Sequence, residues 1–187
     1  MLMKRFLLPI LLMAFLFPSL ALGEADKVDA LVKTDGLYYK KFTDVPFTGR
    51  TTGKIQGSFK NGKKHGFWVV YRENGQLHFK ENYKDGKEHG SWVSYWSNGR
   101  LGSKETFKDG NLHGPCFRYY DNGKVWEKGT YKDGNKDGSW IHYHDNGKLW
   151  EKGTYKDGKP DGHWVRYYST GKLWEKGTYK DREMDGP

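Results

Sequence analysis

From residue 57 onward the chain alternates short apolar, aromatic-rich runs with polar corners that contain glycine. Segments such as Trp68-Val69-Val70-Tyr71 and Leu149-Trp150-Glu151-Lys152-Gly153-Thr154-Tyr155 are too short for helices and carry the β-branched and aromatic residues of strands. The corners recur in register. Gly66, Gly90, Gly114, Gly138, Gly162 and Gly186 stand 24 residues apart, as do Gly75, Gly99, Gly123, Gly147 and Gly171, each of this second set following Asn or Thr. A third column, Gly62, Gly86, Gly110, Gly134 and Gly158, follows Asn61, Asp85, Asp109, Asp133 and Asp157. Each period therefore holds two Asn-Gly or Asp-Gly signals about 12 residues apart, and these dipeptides supply the positive φ values of a two-residue type I′ turn between antiparallel strands. A fixed period of this length marks a repeat architecture. The pattern predicts an all-β fold, an elongated single-layer antiparallel meander of tandem β-hairpins with a 24-residue repeat.

Centring the first hairpin on Asn74-Gly75 places Val70 opposite Phe79. The same rule pairs Ser94 with Ser103, Arg118 with Glu127, His142 with Glu151 and Arg166 with Glu175. Each pair is chemically matched, and cross-strand neighbours contribute roughly 0.2–1 kcal/mol each. The register also sets Trp68 against Glu81, Trp140 against Gly153 and Trp164 against Gly177, which lets an indole lie across a strand glycine. On the reverse face it pairs Tyr119 with Trp126, Tyr143 with Trp150 and Tyr167 with Trp174. Each hairpin advances the sheet by two strand spacings, about 9.6 Å, so five to six units make a twisted ribbon roughly 50–60 Å long.

The frame fades toward the start. Residues 24–56 read as a cap and degenerate first repeat, in which Phe47 falls in the column of Tyr71, and residues 57–187 read as the tandem array. Near the other end Arg182 replaces a turn glycine, which leaves Leu173 to Tyr179 as an open edge that invites pairing with another chain.

Residues 1–23 change the picture of where the chain works. Lys4 and Arg5 precede the apolar run Leu7 to Phe17, and Pro18-Ser19-Leu20-Ala21-Leu22-Gly23 ends in small residues, the layout of a secretory signal peptide cleaved after Ala21 or Gly23. The apolar run is short of the roughly 20 residues needed to span a bilayer. The absence of a cysteine near the cleavage site excludes a lipoprotein anchor. Export to the periplasm, the cell surface or the medium is expected.

Composition supports a thin structure. The chain has 25 glycines, 17% aromatic residues and a mean hydropathy of −0.93, so its apolar material is rings spread along a ribbon rather than a thick aliphatic core. Without Lys4 and Arg5 it carries 30 basic against 23 acidic residues, a charge of +7. That balance favours anionic polymers, lipid surfaces or acidic proteins; an exported chain rarely meets nucleic acid, which is not expected as a partner. Cys116 is the one cysteine and has no intramolecular disulfide partner.

The stretches KGTYKDGNKDGSW (128–140), KGTYKDGKPDGHW (152–164) and ENYKDGKEHGSW (81–92) resemble the MORN repeat, and the YxxNGxLW stretch that follows is similar to its bacterial variant. The opening YYKKFTDVPFTG is similar to the start of those variant proteins, which are often labelled YwqK-type antitoxins. The resemblance implies a single-layer hairpin sheet used for protein or membrane association, with no catalytic machinery.

The residues agree that this is no obvious enzyme. No G-x-S-x-G, H-E-x-x-H, Walker or C-x-x-C arrangement is present, and Cys116 occupies the column of Trp68 as a packing residue. Glu127, Glu151 and Glu175 each have a basic partner in the register rather than the arrangement of a glycosidase pair. His65, His89 and His113 recur before a repeat glycine, but members of this column lie about 10 Å apart, too far for shared zinc; they read as turn residues, and no cofactor or metal is expected. The candidate binding face is a basic aromatic track formed by Tyr119, Trp126, Lys128, Tyr143, Trp150, Lys152, Tyr167, Trp174 and Lys176. Such a track joins charge attraction to flat stacking surfaces, although lysines on an exposed sheet also serve simply to solubilise it. The expected role is a protein-interaction or scaffolding module with a protein partner or self-association. Anionic wall polymer or a phospholipid surface is the alternative, and antitoxin activity a weaker one.

Overall fold

The computed structural model describes residues 26–180 and 183–185, with side chains through Lys180. The expected signal peptide, Arg182 and the residues from Gly186 on lie outside the described residues. Among the described residues all regular structure is β apart from one 3-10 turn at Val28–Ala30. Sixteen strands form one sheet, and from Gly49–Thr52 onward its successive hairpins follow chain order, as expected for a meander.

The two corners of each period differ. At the Asp-Gly corners both residues take positive φ, 51° and 86° at Asp85 and Gly86, and Lys84 pairs with Lys87 across a two-residue turn. At the other corners, Gly75, Gly99, Gly123, Gly147 and Gly171 with the Asn or Thr before each, only glycine is left-handed. The Gly75 N–H donates to Arg72 O (2.9 Å) and the Arg72 N–H to Gln76 O (2.8 Å), which encloses a three-residue loop, Glu73-Asn74-Gly75. Asn74 Oδ1 accepts from the Gln76 N–H at 3.1 Å and stiffens the loop. Such loops join a type I turn to a residue in αL.

The three-residue loop shifts the strands by one position, and a β-bulge restores the register. Val70, Ser94, Arg118, His142 and Arg166 face Phe79, Ser103, Glu127, Glu151 and Glu175 as expected. Beyond the bulge, however, Tyr119, Tyr143 and Tyr167 face Val125, Leu149 and Leu173. The expected Tyr–Trp pairs do not form, because His78, Gly102, Trp126, Trp150 and Trp174 are the extra residues of the bulges.

Trp68 and Trp140 are fully buried although the array is one sheet thick. They achieve this by lying flat on the backbone of the preceding hairpin: a Cβ added to Gly57 would stand 2.1 Å from Trp68 Cδ2, and one added to Gly129 would stand 2.3 Å from Trp140 Cδ2. Trp164 lies in the same way over Gly153. Trp140 and Trp164 do pair with Gly153 and Gly177 in the ladder, but each indole covers the glycine on its other flank, between hairpins. Rings from both neighbours close the sides, in the order Tyr131, Trp140, Tyr155, Trp164, Tyr179 at centroid separations of 5.0–6.1 Å. The Lys136 ammonium, 3.9 Å from the Trp140 ring, covers the top.

The start of the chain departs from a plain meander. Asp26–Lys27 pairs parallel with Gly49–Thr52, and Leu31–Thr34 with Leu37–Lys40 forms a separate two-stranded sheet. Leu31, Phe47, Phe59 and Trp68 pack into one core with Tyr38, so this segment covers the first indole as a cap does. At the far end Glu183–Asp185 pairs with Thr178–Lys180, covering part of the strand expected to be open.

Candidate functional site: two unlike faces of one sheet

Strand alternation gives the sheet two chemically distinct faces. One carries the buried indoles and a row of charges. Arg118 is bonded on one side to Glu105 (Nε to Oε1, 2.7 Å) and on the other to Glu127. His142 Nε2 is 3.0 Å from Glu127 and its Nδ1 is 3.4 Å from Glu151, an ion-pair contact rather than a formed hydrogen bond. Arg166 bonds Glu151 at 2.6 Å and Glu175 at 2.7 Å. The pairs expected within hairpins are thus links in a continuous row, with acid and base alternating from Glu105 to Glu175 across every hairpin boundary. Burial opposes ionisation of Glu127, but the His142 bond, Lys136 and Arg118 outweigh it and hold the carboxyl down at about 2. Burial likewise works against a charge on His142, and its two carboxylate neighbours overcome it, raising its pKa.

Further cross-hairpin bonds come from a chemically mixed column. Arg72, Trp96, Tyr120 and His144 direct Nη2, Nε1, the hydroxyl and Nε2 to the backbone oxygens of Tyr95, Tyr119, Tyr143 and Tyr167 at 2.7–3.0 Å. The histidines before the repeat glycines point to turn aspartates of the next unit, with His65, His89 and His113 3.5, 3.3 and 3.1 Å from Asp85, Asp109 and Asp133. Cys116 lies beside Glu105, its Sγ 3.8 Å from Oε1, and burial pushes the thiol up to about 12. Such a thiol is a poor nucleophile at neutral pH.

The bulges divide the expected aromatic track. Trp150 sits 5.8 Å from the His142 ring and 6.1 Å from His144, Trp126 packs on Tyr120 at 6.4 Å, and Trp174 stacks on Tyr168 at 5.7 Å. These indoles therefore stand on the charge-row face, because at a bulge two successive side chains share a side. Tyr119, Tyr143, Tyr167, Lys128, Lys152 and Lys176 remain together on the opposite face, where the Lys128 ammonium lies 5.5 Å from the Tyr143 ring.

That opposite face is strongly basic. Lys80, Lys104, Lys128, Lys152 and Lys176 form one column and Lys60, Lys84, Lys108, Lys132, Lys156 and Lys180 another, broken by the acidic side chains Asp137 and Asp161. Among the described residues the lysines in ion pairs are Lys40, Lys54, Lys64 and Lys136, none of which belongs to these columns. Glu105, Glu127, Glu151 and Glu175 are taken up in the row on the other side, so the charge of these lysine columns is left to solvent or a partner.

The charge-row face is interrupted around Gly102. There a depression of about 400 Å³ opens between His78, Phe79, Trp92, Trp96 and Trp126, over Ser94 and Ser103. Gly102 holds the bulge position that three later units fill with an indole.

Residues 64–85, 112–133, 136–157 and 160–181 each match the MORN repeat variant family. The unmatched interval 86–111 contains Gly102 and its surroundings. No curated protein matches the chain. Among solved structures, one match is the crystal structure of a GtfA/B complex bound to UDP and GlcNAc, 11% identical over 86% of this chain at a TM-score of 0.20. The chain spans 29% of that structure's chain, and so loose a superposition carries no argument about fold or ligand.

Proposed function

Since the chain belongs to the MORN repeat variant family, which is not a family of enzymes, we propose that it is an exported interaction module that docks an extended acidic partner protein along its lysine–tyrosine face. The observation that carries this reading is the segregation of charge, with acids neutralised on one face and two lysine columns unpaired on the other. Lysines in one column recur about every 9.6 Å, with half-buried tyrosines and the exposed Phe117 ring between them. An extended anionic chain can follow that row, its charges meeting ammonium groups while its apolar parts lie on rings.

Affinity capture from envelope extract tests the reading, comparing the wild type with Lys104→Glu, Lys128→Glu, Lys152→Glu combined. Retention of an acidic protein by the wild type, weakened by salt and abolished in the triple variant, supports it. Equal capture by both proteins contradicts it. The periodic lysines also suit a wall polymer or a phospholipid surface; sedimentation with purified wall or anionic liposomes in place of protein capture would establish that second reading.

A further inference from the structure

We propose that the depression at Gly102 is a socket for an aromatic side chain of a partner protein. This rests on the interaction-module reading but uses the opposite face, so the two can fail separately. Along the bulge column the residues are His78, Gly102, Trp126, Trp150 and Trp174. Each of the last three indoles packs against the ring of the mixed column beside it, Tyr120, His144 and Tyr168, at 5.7–6.4 Å. At Gly102 the corresponding neighbour is Trp96, which has lost its partner ring and stays 42% exposed. The far wall is Trp126, 37% exposed. A ring-sized place in a regular row of rings is therefore unfilled by the chain itself, and about 400 Å³ is ample for an indole or phenol.

The polar groups around the gap select the occupant. Ser94 and Ser103 hydrogen-bond each other at 2.8 Å, Arg118 is held between Glu105 and Glu127, and the Trp96 Nε1–H is given to Tyr119 O at 3.0 Å. Most of these groups are thus committed; Arg72, which also lines the gap, gives Nη2 to Tyr95 O at 2.7 Å but has no acidic partner among the described residues and keeps its Nε unbonded. A sugar would bring many hydroxyls to few free partners, whereas the Arg72 guanidinium suits the electron-rich face of a ring. A flat uncharged ring asks only for the edge and face contacts that the row already uses. Buried aromatic anchors seated in such pockets dominate many protein interfaces.

The test is titration of the ¹⁵N-labelled chain with N-acetyl-tryptophanamide, a neutral ring probe, followed at the Gly102, Ser103 and Trp96 amides. Saturable shifts confined to this unit, with a Kd of roughly 1 mM or tighter, are expected. Gly102→Trp, which supplies the ring internally, should weaken binding at least tenfold. Its Cβ would approach Ser94 Oγ to 2.8 Å, so Trp96→Ala, at a more exposed wall, is the second variant and should weaken binding similarly. Trp174→Ala should leave it unchanged. Saturation by glucose but not by the ring probe, diffuse unsaturable shifts along the array, or unaltered binding in both Gly102→Trp and Trp96→Ala would overturn the proposal.

Discussion

Gly129→Ala adds one methyl group on the surface of a sheet, where it would ordinarily be mild or stabilising. Here the new Cβ falls 2.3 Å from Trp140 Cδ2 and 2.4 Å from Cε2. Both belong to a fully buried ring that cannot yield without leaving its place. A buried tryptophan removes about 150–250 Å² from water, worth about 4–6 kcal/mol at 25 cal/mol per Å². Lifting the indole off the backbone forfeits roughly a third to a half of that. It also breaks the hydrogen bond from Trp140 Nε1 to Thr130 O, 3.1 Å long, a further loss of about 1 kcal/mol. Restricting the unfolded chain returns roughly 0.4–1 kcal/mol. The net loss is about 2–3 kcal/mol, or about 5–10 °C in Tm for a chain of this size. Urea unfolding followed by circular dichroism measures it, in wild type and in a Trp140→Cys background that imitates the side chain at Cys116. The alanine should cost little once the indole is gone. A Gly129→Ala protein within about 0.5 kcal/mol of wild type, or an equal cost in both backgrounds, would refute the idea that the indole lies on this glycine.

Four more outcomes follow from the charge row and the thiol beside it. His142 has a raised pKa, so its stabilisation is complete below the unfolded value of about 6.5 and lost as pH rises through the folded value. The wild-type urea midpoint should fall over that interval, and His142→Arg should flatten the fall. Glu127, held at about 2, behaves oppositely: its contribution is present above about 4.5 and lost as pH drops toward 2, which acid unfolding of Glu127→Gln against wild type will show. Arg118→Ala strands the partly buried Glu105 and Glu127 and should cost about 3 kcal/mol in urea unfolding, with Arg118→Lys recovering only part because lysine lacks the forked donor. Cys116, 1% exposed with its thiol pushed up to about 12, should resist iodoacetamide at pH 8 until urea unfolds the chain, as mass spectrometry can follow.

Much of the fold could be read from the residues because two glycine columns set the corners and strand parity does the rest. The pairs from Val70–Phe79 to Arg166–Glu175 lie before the bulge, where the two-residue turn assumed at Asn-Gly and the three-residue turn formed there predict the same partners. The tyrosine–tryptophan pairs lie beyond it, so the error appeared at those rings and divided the candidate face. A signal was present: the residue before Asn-Gly is Glu73, Ser97, Asp121 or Asp145, polar like a loop residue rather than a strand residue. The mixed column of Arg72, Trp96, Tyr120 and His144 was harder to see, since its members share only a donor at the end of a long or flat side chain. The burial of Trp140 on Gly129 depends on contact between hairpins, whereas sequence pairing describes contact within them.

Both functional proposals depend on which side of the sheet each bulge indole occupies. Nuclear Overhauser contacts from the Trp150 indole protons in the isotopically labelled chain measure this most directly. Contacts to the His142 and His144 rings are predicted, with the Lys152 and Tyr143 side chains out of reach across the sheet. Strong contacts from Trp150 to Tyr143 and Lys152, with none to His142, would put the indoles back among the lysines and contradict the account.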